Sequence, residues 1–406
     1  MITKDRFIYF SLSPTGNGLS GGDRIFIELA REWSKNIPVT IYTTQEGIGM
    51  CERQQLTGNK LTINKVGNNN LSSNFFLKYL YKIFLGLKLG FSLNINHKSS
   101  IINHLLYSSS DFWMDVFPAV ITKIRYPKLK WIATWFQTAP NPIFGFGEQK
   151  AVSKKHVRER RYKFSALLYW LSQVPVRPLI KKYADYVIVN NEDERKRFPE
   201  MEKKGKVIVL LGAVRLDEIK KFLSTNYKLL STKEFDAVFQ GRFHPQKGVV
   251  ELIDIWRKVV DKIPNAKLAM IGDGPLMNEV RTRLTEHRLQ NNVKLFGYVF
   301  DGPEKYKIFS QSKIVVHPAF YDSGGMASAE AMAFGLPCVG FDLKAYESYY
   351  PKGMIKTKDE NEFASTAVKL FLNFSLRTKI GNEAKTLIET KYSWESRSKE
   401  ILKKVL

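Results

Sequence analysis

Between His317 and Val339 the chain reads H-P-A-F-Y-D-S-G-G-M-A-S-A-E-A-M-A-F-G-L-P-C-V, with two carboxylates, Asp322 and Glu330, around a glycine turn. The pattern is strand, glycine turn, helix, glycine stop and a second buried strand. Ser323, Gly324, Gly325 and Met326 fall where the helix begins. Their N–H groups can point at an anion with the helix dipole behind them. Glu330 follows Asp322 by eight residues, about two helical turns, so both acids can face one pocket. The competing reading makes Asp322 a simple helix cap and turns Glu330 to solvent. Alanine, methionine and phenylalanine around Glu330 favour the pocket.

A second stretch, F-Q-G-R-F-H-P-Q-K-G-V (239–249), ends a buried strand at Gly241-Arg242, carries Lys247 in a loop and opens a helix at Gly248. Arginine offers a forked, permanent charge and lysine a mobile one, a pair suited to a diphosphate. Two solvated surface cations are the plain alternative; the flanking glycines and the strand–loop–helix context weigh against it. M-I-G-D-G-P-L (270–276) reads as a turn without a chemical role. L-F-G-Y-V (295–299) ends a strand at Gly297, where backbone groups can meet a nucleobase.

The loop S-P-T-G-N-G-L-S-G-G-D (13–23) spells G-x-G-x-x-G, and Glu46 follows a second apolar run, which together imitate a dinucleotide fingerprint. The register is wrong for one. Ser13-Pro14-Thr15 separate strand from first glycine, and Glu46 lies 30 residues past Gly16 where about 20 are expected. Gly21 and Gly22, at the helix start, are the pair expected to approach a phosphate.

The elements that must hold these residues alternate strand and helix nearly throughout, which predicts parallel α/β architecture. Strands are expected at Phe7–Leu12, Val39–Tyr42, Leu61–Val66, Ser100–Leu105, Trp131–Trp135 and Val187–Asn190. A second set is expected at Ala237–Gln240, Lys267–Ile271, Val293–Phe296, Ile314–His317 and Cys338–Phe341. The expectation is two doubly wound Rossmann-like domains, 1–200 and 201–385, facing across a cleft that holds the active site. A C-terminal helix within 386–406 is expected to pack back on the first.

In this order, the stretches at 239–249, 270–276, 295–299 and 317–339 resemble the nucleotide-sugar half of the GT-B glycosyltransferases, in particular retaining family 4. That family carries G-R-x-x-x-x-K-G, a G-x-G-P turn, a base-contacting glycine turn, and E-x7-E followed by A-M-A-x-G-x-P. The resemblance covers nearly all of 237–340. It implies a UDP- or GDP-linked sugar as donor, with Arg242 and Lys247 on its diphosphate and Glu330 on its ribose. It also implies Asp322 on sugar hydroxyls, backbone donors at Gly325-Met326-Ala327 for the leaving phosphate, and Gly297 and Tyr298 beside the base. Retention of configuration follows from the same likeness. The N-terminal half resembles the family more loosely, through Gly21-Gly22. The first acid of E-x7-E is here an aspartate. Phe136 and Gln137 stand where many members place a histidine, and His104 is the nearest substitute.

Bulk composition bounds the partners. The 406 residues carry 63 Lys+Arg against 39 Asp+Glu, a net +24, so an anionic partner is expected: nucleic acid, phosphate-bearing substrates or an acidic membrane surface. No nucleic-acid motif is present, which disfavours the first. Lys154, Lys155, Arg158, Arg160 and Arg161 lead into F-S-A-L-L-Y-W-L, so 150–171 reads equally as a helix lying on an anionic bilayer or as one packed on the sheet. For 75–91 the packed reading is preferred, with lysines in solvent. The acceptor is expected to be a glycan or a lipid-linked sugar. Two cysteines, Cys51 and Cys338, outside any C-x-x-C point to a reducing, cytoplasmic compartment; no signal peptide, transmembrane span or metal site is expected. A metal-independent hexosyltransferase is the leading reading. A membrane-bound GT-B scaffold without activity and a dinucleotide-dependent oxidoreductase are the alternatives.

Overall fold

The structure is a computed structural model and describes residues 5–16, 19–68, 74–95, 103–139, 164–210, 212–226, 232–322 and 324–406. Ser323 and the cations of 150–163 lie outside the described residues. The chain divides into two compact units. The first includes the described residues up to 139, 164–210 and 397–406, the second those of 212–396.

The first unit is built on a seven-stranded parallel sheet: β1 (Asp5–Ser11), β2 (Val39–Thr43), β3 (Leu61–Lys65), β4 (Asn103–Ser108), β5 (Lys130–Trp135), β6 (Tyr186–Val189) and β7 (Val207–Val209). They lie in the order β3-β2-β1-β4-β5-β6-β7. β1 is apolar without alternation because a central parallel strand is covered on both faces. Phe7 stacks on Trp33 at 4.3 Å and Tyr9 on Tyr107 at 4.5 Å. Helices α1 (Gly21–Ser34), α2 (Gln45–Arg53), α3 (Phe75–Ser92) and α4 (Trp113–Arg125) flank the sheet. α1 opens with a capping box, Asp23 N donating to Ser20 Oγ and Ser20 N to Asp23 Oδ2.

Three expectations shift. β4 runs Asn103–Ser108 and so continues past the expected end at Leu105, because register with β1 pairs Leu105 with Phe7 and Tyr107 with Tyr9; the expected start at Ser100 lies outside the described residues. The first unit ends at 210 and not 200: the short apolar run V-I-V pairs as β7 with β6. α3 is the larger correction. It packs on α4 through Gly86 and Gly90 and on the core through Ile83 and Leu85, as the packed reading expects, but it buries Lys82 and leaves a second row of bulky apolar side chains in solvent.

The second unit carries six parallel strands: β8 (Phe235–Gln240), β9 (Leu268–Ile271), β10 (Val293–Gly297), β11 (Ser312–His317), β12 (Cys338–Phe341) and β13 (Met354–Thr357), ordered β10-β9-β8-β11-β12-β13. β13, too short to stand out in the sequence, extends the sheet beside β12. Residue 386 falls within a helix, Phe374–Lys391, so the last helix begins later, at Trp394. Its residues from Arg397 group with the first unit, where Trp33 Nε1 donates to the Ser398 carbonyl at 3.2 Å.

Candidate active site

In each sheet the strand order reverses beside one strand, and open α/β sheets bind ligands outside the carboxyl ends of the strands at that point. In the second unit the reversal lies between β8 and β11. The two loops leaving these strands are 241–248 and 318–325, the stretches singled out from the sequence.

They interlock. Phe320 N donates to the Gln246 carbonyl at 2.9 Å. Gly248 has φ 63°, and a Cβ there would lie 2.1 Å from the Pro318 carbonyl oxygen, so only glycine fits. The turn of 272–274 has a structural part that its sequence did not disclose. Phe243 N donates to the Asp273 carbonyl and Gly241 N to the Ile271 carbonyl, which fixes the backbone on both sides of Arg242. Gly272 N donates to the Gly297 carbonyl at 2.7 Å, bringing the ends of β8, β9 and β10 into one row.

Arg242 is exposed, and its guanidinium makes no hydrogen bond or ion pair among the described residues. Lys247 is half-buried, with Nζ 2.6 Å from Asp322 Oδ2. His317 Nε2 lies 2.8 Å from the same oxygen, while Gly324 N and Gly325 N each donate to Asp322 Oδ1 at 3.1 Å. Burial alone would raise the Asp322 carboxyl; Lys247 and His317 outweigh it and hold the group well below the usual carboxylate range. Both oxygens are thus engaged, and Asp322 orients Lys247 and the glycine turn at once.

The turn is clamped from its other side by tyrosines. Tyr350 Oη donates to the carbonyls of Gly324 and Gly325 at 3.0 and 2.7 Å. A Cβ on Gly324 would meet the Tyr349 ring at 2.4 Å. The N–H groups of Met326 and Ala327 fall in the first turn of the helix Met326–Met332, where a helix offers no internal acceptor.

Glu330 is buried, which removes the reading that turns it to solvent. Its partner is one the sequence did not reveal: Lys305, fully buried, places Nζ 2.6 Å from Glu330 Oε2 and also pairs with Asp301. The i, i+4 spacing of Asp301 and Lys305 across the start of the helix Pro303–Ser310 was the available signal. His317, at the end of β11, was likewise unassigned. Gly297 has open space where a Cβ would stand, and Tyr298 beside it is exposed against the Phe300 ring at 4.9 Å.

In the first unit the strand order reverses between β1 and β4. Gly22 directs its Cα toward Phe136, whose ring would lie 2.9 Å from an added Cβ. The Phe136 ring thus covers the start of α1. His104 sits near the amino end of β4, away from the carboxyl edge where a ligand would bind. Glu46, the acid of the dinucleotide reading, is committed elsewhere: it pairs with Lys82 at 2.7 Å and Lys78 at 3.1 Å and accepts from Gly16 N. Burial pushes its carboxyl up, but the two lysines and Gly16 outweigh this and lower it.

Two further buried acids follow β4. Asp115 accepts from Leu12 N, Ser13 N and Ser109 Oγ, joining the carboxyl ends of β1 and β4, and burial raises its carboxyl to about 6. Asp111 accepts from Gln173 Nε2 and Tyr169 Oη, and burial raises it to about 7. A raised carboxyl means that the folded state holds its proton longer than the unfolded chain. Stability from Asp111 is therefore complete below about pH 4 and is lost as pH rises toward 7, at up to about 1.4 kcal/mol per pH unit. Asp111→Asn is expected to flatten that loss. Urea titrations at pH 4.5 and pH 7 check it, and an equal pH response in variant and wild type would refute it.

Residues 221–387 match the family described as Glycosyl transferases group 1. The chain is 29% identical over 171 residues to the uncharacterized glycosyltransferase MJ1059 of Methanocaldococcus jannaschii, covering 40% of this chain and 41% of that one. It is 28% identical over 207 residues to the poly(ribitol-phosphate) alpha-N-acetylglucosaminyltransferase of Staphylococcus aureus, covering 47% and 41%. The chain thus spans 41% of the length of both of these curated relatives. The crystal structure of Anabaena Alr3699/HepE in complex with UDP and glucose superposes with a TM-score of 0.67 at 14% identity, covering 98% of both chains. The chain has the α/β GT-B fold with two doubly wound parallel sheets, and its residues 221–387 are similar to the glycosyl transferases group 1 family.

Proposed function

We propose that the protein is a retaining glycosyltransferase that moves a hexose from a UDP- or GDP-linked sugar to a glycan or lipid-linked acceptor without a metal ion. The observation that carries this reading is Arg242: an exposed guanidinium with no partner among the described residues, beside Lys247 and a glycine turn at the reversal point of a parallel sheet. The bond between the anomeric carbon and the diphosphate breaks, and charge gathers on the departing oxygens. Arg242, Lys247 and the N–H groups of Met326 and Ala327 meet that charge from fixed positions, which lowers the barrier more than mobile water could. The Gly325 N–H is held by Asp322. Ser323 belongs to the same turn in this reading. Glu330 takes the ribose hydroxyls, and Gly297 and Tyr298 the base. Asp322 reaches sugar hydroxyls only while holding Lys247, which shortens its range relative to the family's glutamate. Bound UDP in the Anabaena structure and the sugar transfer named for the S. aureus relative support the donor class. The basic segment 150–171 is assigned to an anionic membrane surface.

Donor binding is measured first. A nucleotide sugar at 100 times its Kd is expected to stabilise the protein by about 2.7 kcal/mol, read as a raised thermal midpoint. UDP-, GDP- and ADP-sugars are compared with NADH. A shift with NADH alone would restore the oxidoreductase reading, and donor binding without transfer or hydrolysis would favour the inactive scaffold.

A further inference from the structure

α3 has its large side chains on the outside. Phe76, Leu77, Leu80, Phe84, Leu87 and Phe91 recur at spacings that share one helical face, and all are exposed, Phe84 at 58% and Phe91 at 66%. The inner face joins Ile83 and Leu85, which pack into the core, to the small residues Gly86 and Gly90. A Cβ on Gly86 would lie 2.6 Å from the Met114 carbonyl oxygen, and one on Gly90 would lie 2.9 Å from Ile121 Cβ, so α3 and α4 approach backbone to backbone. The exposed row does not belong to a loosely held helix. Lys82 is buried and fastens α3 to Pro14, Thr15 and Glu46.

Such a stripe on a firmly held helix requires a cover, and charge says which kind. Phe75–Ser92 contains Lys78, Lys82 and Lys88 and no acid, within a chain of net +24. Lys78 and Lys82 are spent on Glu46, whereas Lys88 is exposed beside Phe84 and Phe91. A second copy of α3 laid on the stripe would bring lysine but no carboxylate to meet Lys88. A lipid surface with anionic headgroups satisfies both the apolar stripe and the lysine. No helix among the described residues is long and apolar enough to cross a membrane, so α3 lies along the surface. We infer that α3 is an interfacial helix that docks the first unit on an anionic bilayer, separately from segment 150–171. The loop after β1 hangs on the same helix through Lys82, so docking also fixes that loop relative to the lipid.

The test is flotation with phosphatidylcholine vesicles with and without phosphatidylglycerol, at low and high salt. Wild type is expected to float with the phosphatidylglycerol vesicles and less so in high salt. The triple variant Leu80→Ser, Phe84→Ser, Leu87→Ser is expected to lose at least about tenfold in partitioning. Its circular dichroism and thermal midpoint should stay unchanged, because these side chains face solvent. Lys88→Glu should weaken binding to the anionic vesicles selectively. Unchanged flotation of the triple variant overturns the inference. So does loss only on neutralising Lys154, Lys155, Arg158, Arg160 and Arg161, or a dimeric wild type that the triple variant renders monomeric without any effect on flotation. The donor-induced thermal shift is read on the same triple variant; its retention separates failure of docking from failure of the donor reading.

Discussion

Replacing Arg242 by alanine is expected to lower sugar transfer by about 10²–10³-fold, the usual cost of removing one preorganised donor to charge developing in a transition state. The fold should not notice. Arg242 is exposed, and its side chain has no partner among the described residues, so its removal should change unfolding free energy by no more than about 0.5 kcal/mol. This pairing of outcomes is what distinguishes a ligand-directed arginine from a structural one. Lys247 is less clean as a probe, because removing it also strips a counter-charge from buried Asp322. Initial rates with a bound donor sugar, together with urea unfolding, check the prediction. Activity within about threefold of wild type would overturn the assignment of Arg242 to the leaving diphosphate.

The largest effect on stability is expected at Lys305, which only the i, i+4 spacing from Asp301 marks in the sequence. Its ammonium is fully buried and is shared by Glu330 and Asp301. Lys305→Met keeps the stem's volume but leaves two carboxylates facing each other without the cation. Breaking a buried pair in this way costs about 3–5 kcal/mol, a large part of the stability of a domain. Glu330→Gln should cost less, since the amide oxygen still accepts from Lys305 and one of two negative charges is gone. The two variants separate by readout. Lys305→Met lowers the denaturant midpoint, whereas Glu330→Gln lowers donor affinity more than stability if Glu330 holds the ribose. Equal midpoints for Lys305→Met and wild type would show that the pair is not buried as described.

Much of the second unit was readable because its chemistry is local. The stretches 239–249 and 317–339 each pack strand end, glycine turn and helix start into 23 residues or fewer, so residue type and spacing were enough to foresee the turns that carry Arg242, Lys247 and Asp322 and the helix that buries Glu330. The first unit was less readable. V-I-V at 207–209 and M-I-K-T at 354–357 are too short for a periodic signal and become strands only because β6 and β12 present open edges to them. The register already set Glu46 aside as a ribose acid, but its partners Lys78 and Lys82, more than thirty residues on, had no signal in the sequence.

The alternation of apolar runs with helices, the glycine turns and the excess of positive charge are properties of neighbouring residues, and for those the order of amino acids was sufficient. Pairings over long separations were decided by packing: Lys247 with Asp322, Lys305 with Glu330, Lys82 with Glu46. So was the face of α3 that meets solvent. Amphipathicity marks an apolar stripe, but not which side of the helix finds a neighbour. That choice fell to Gly86 and Gly90, since two helices gain more contact where their backbones can touch than where phenylalanines hold them apart.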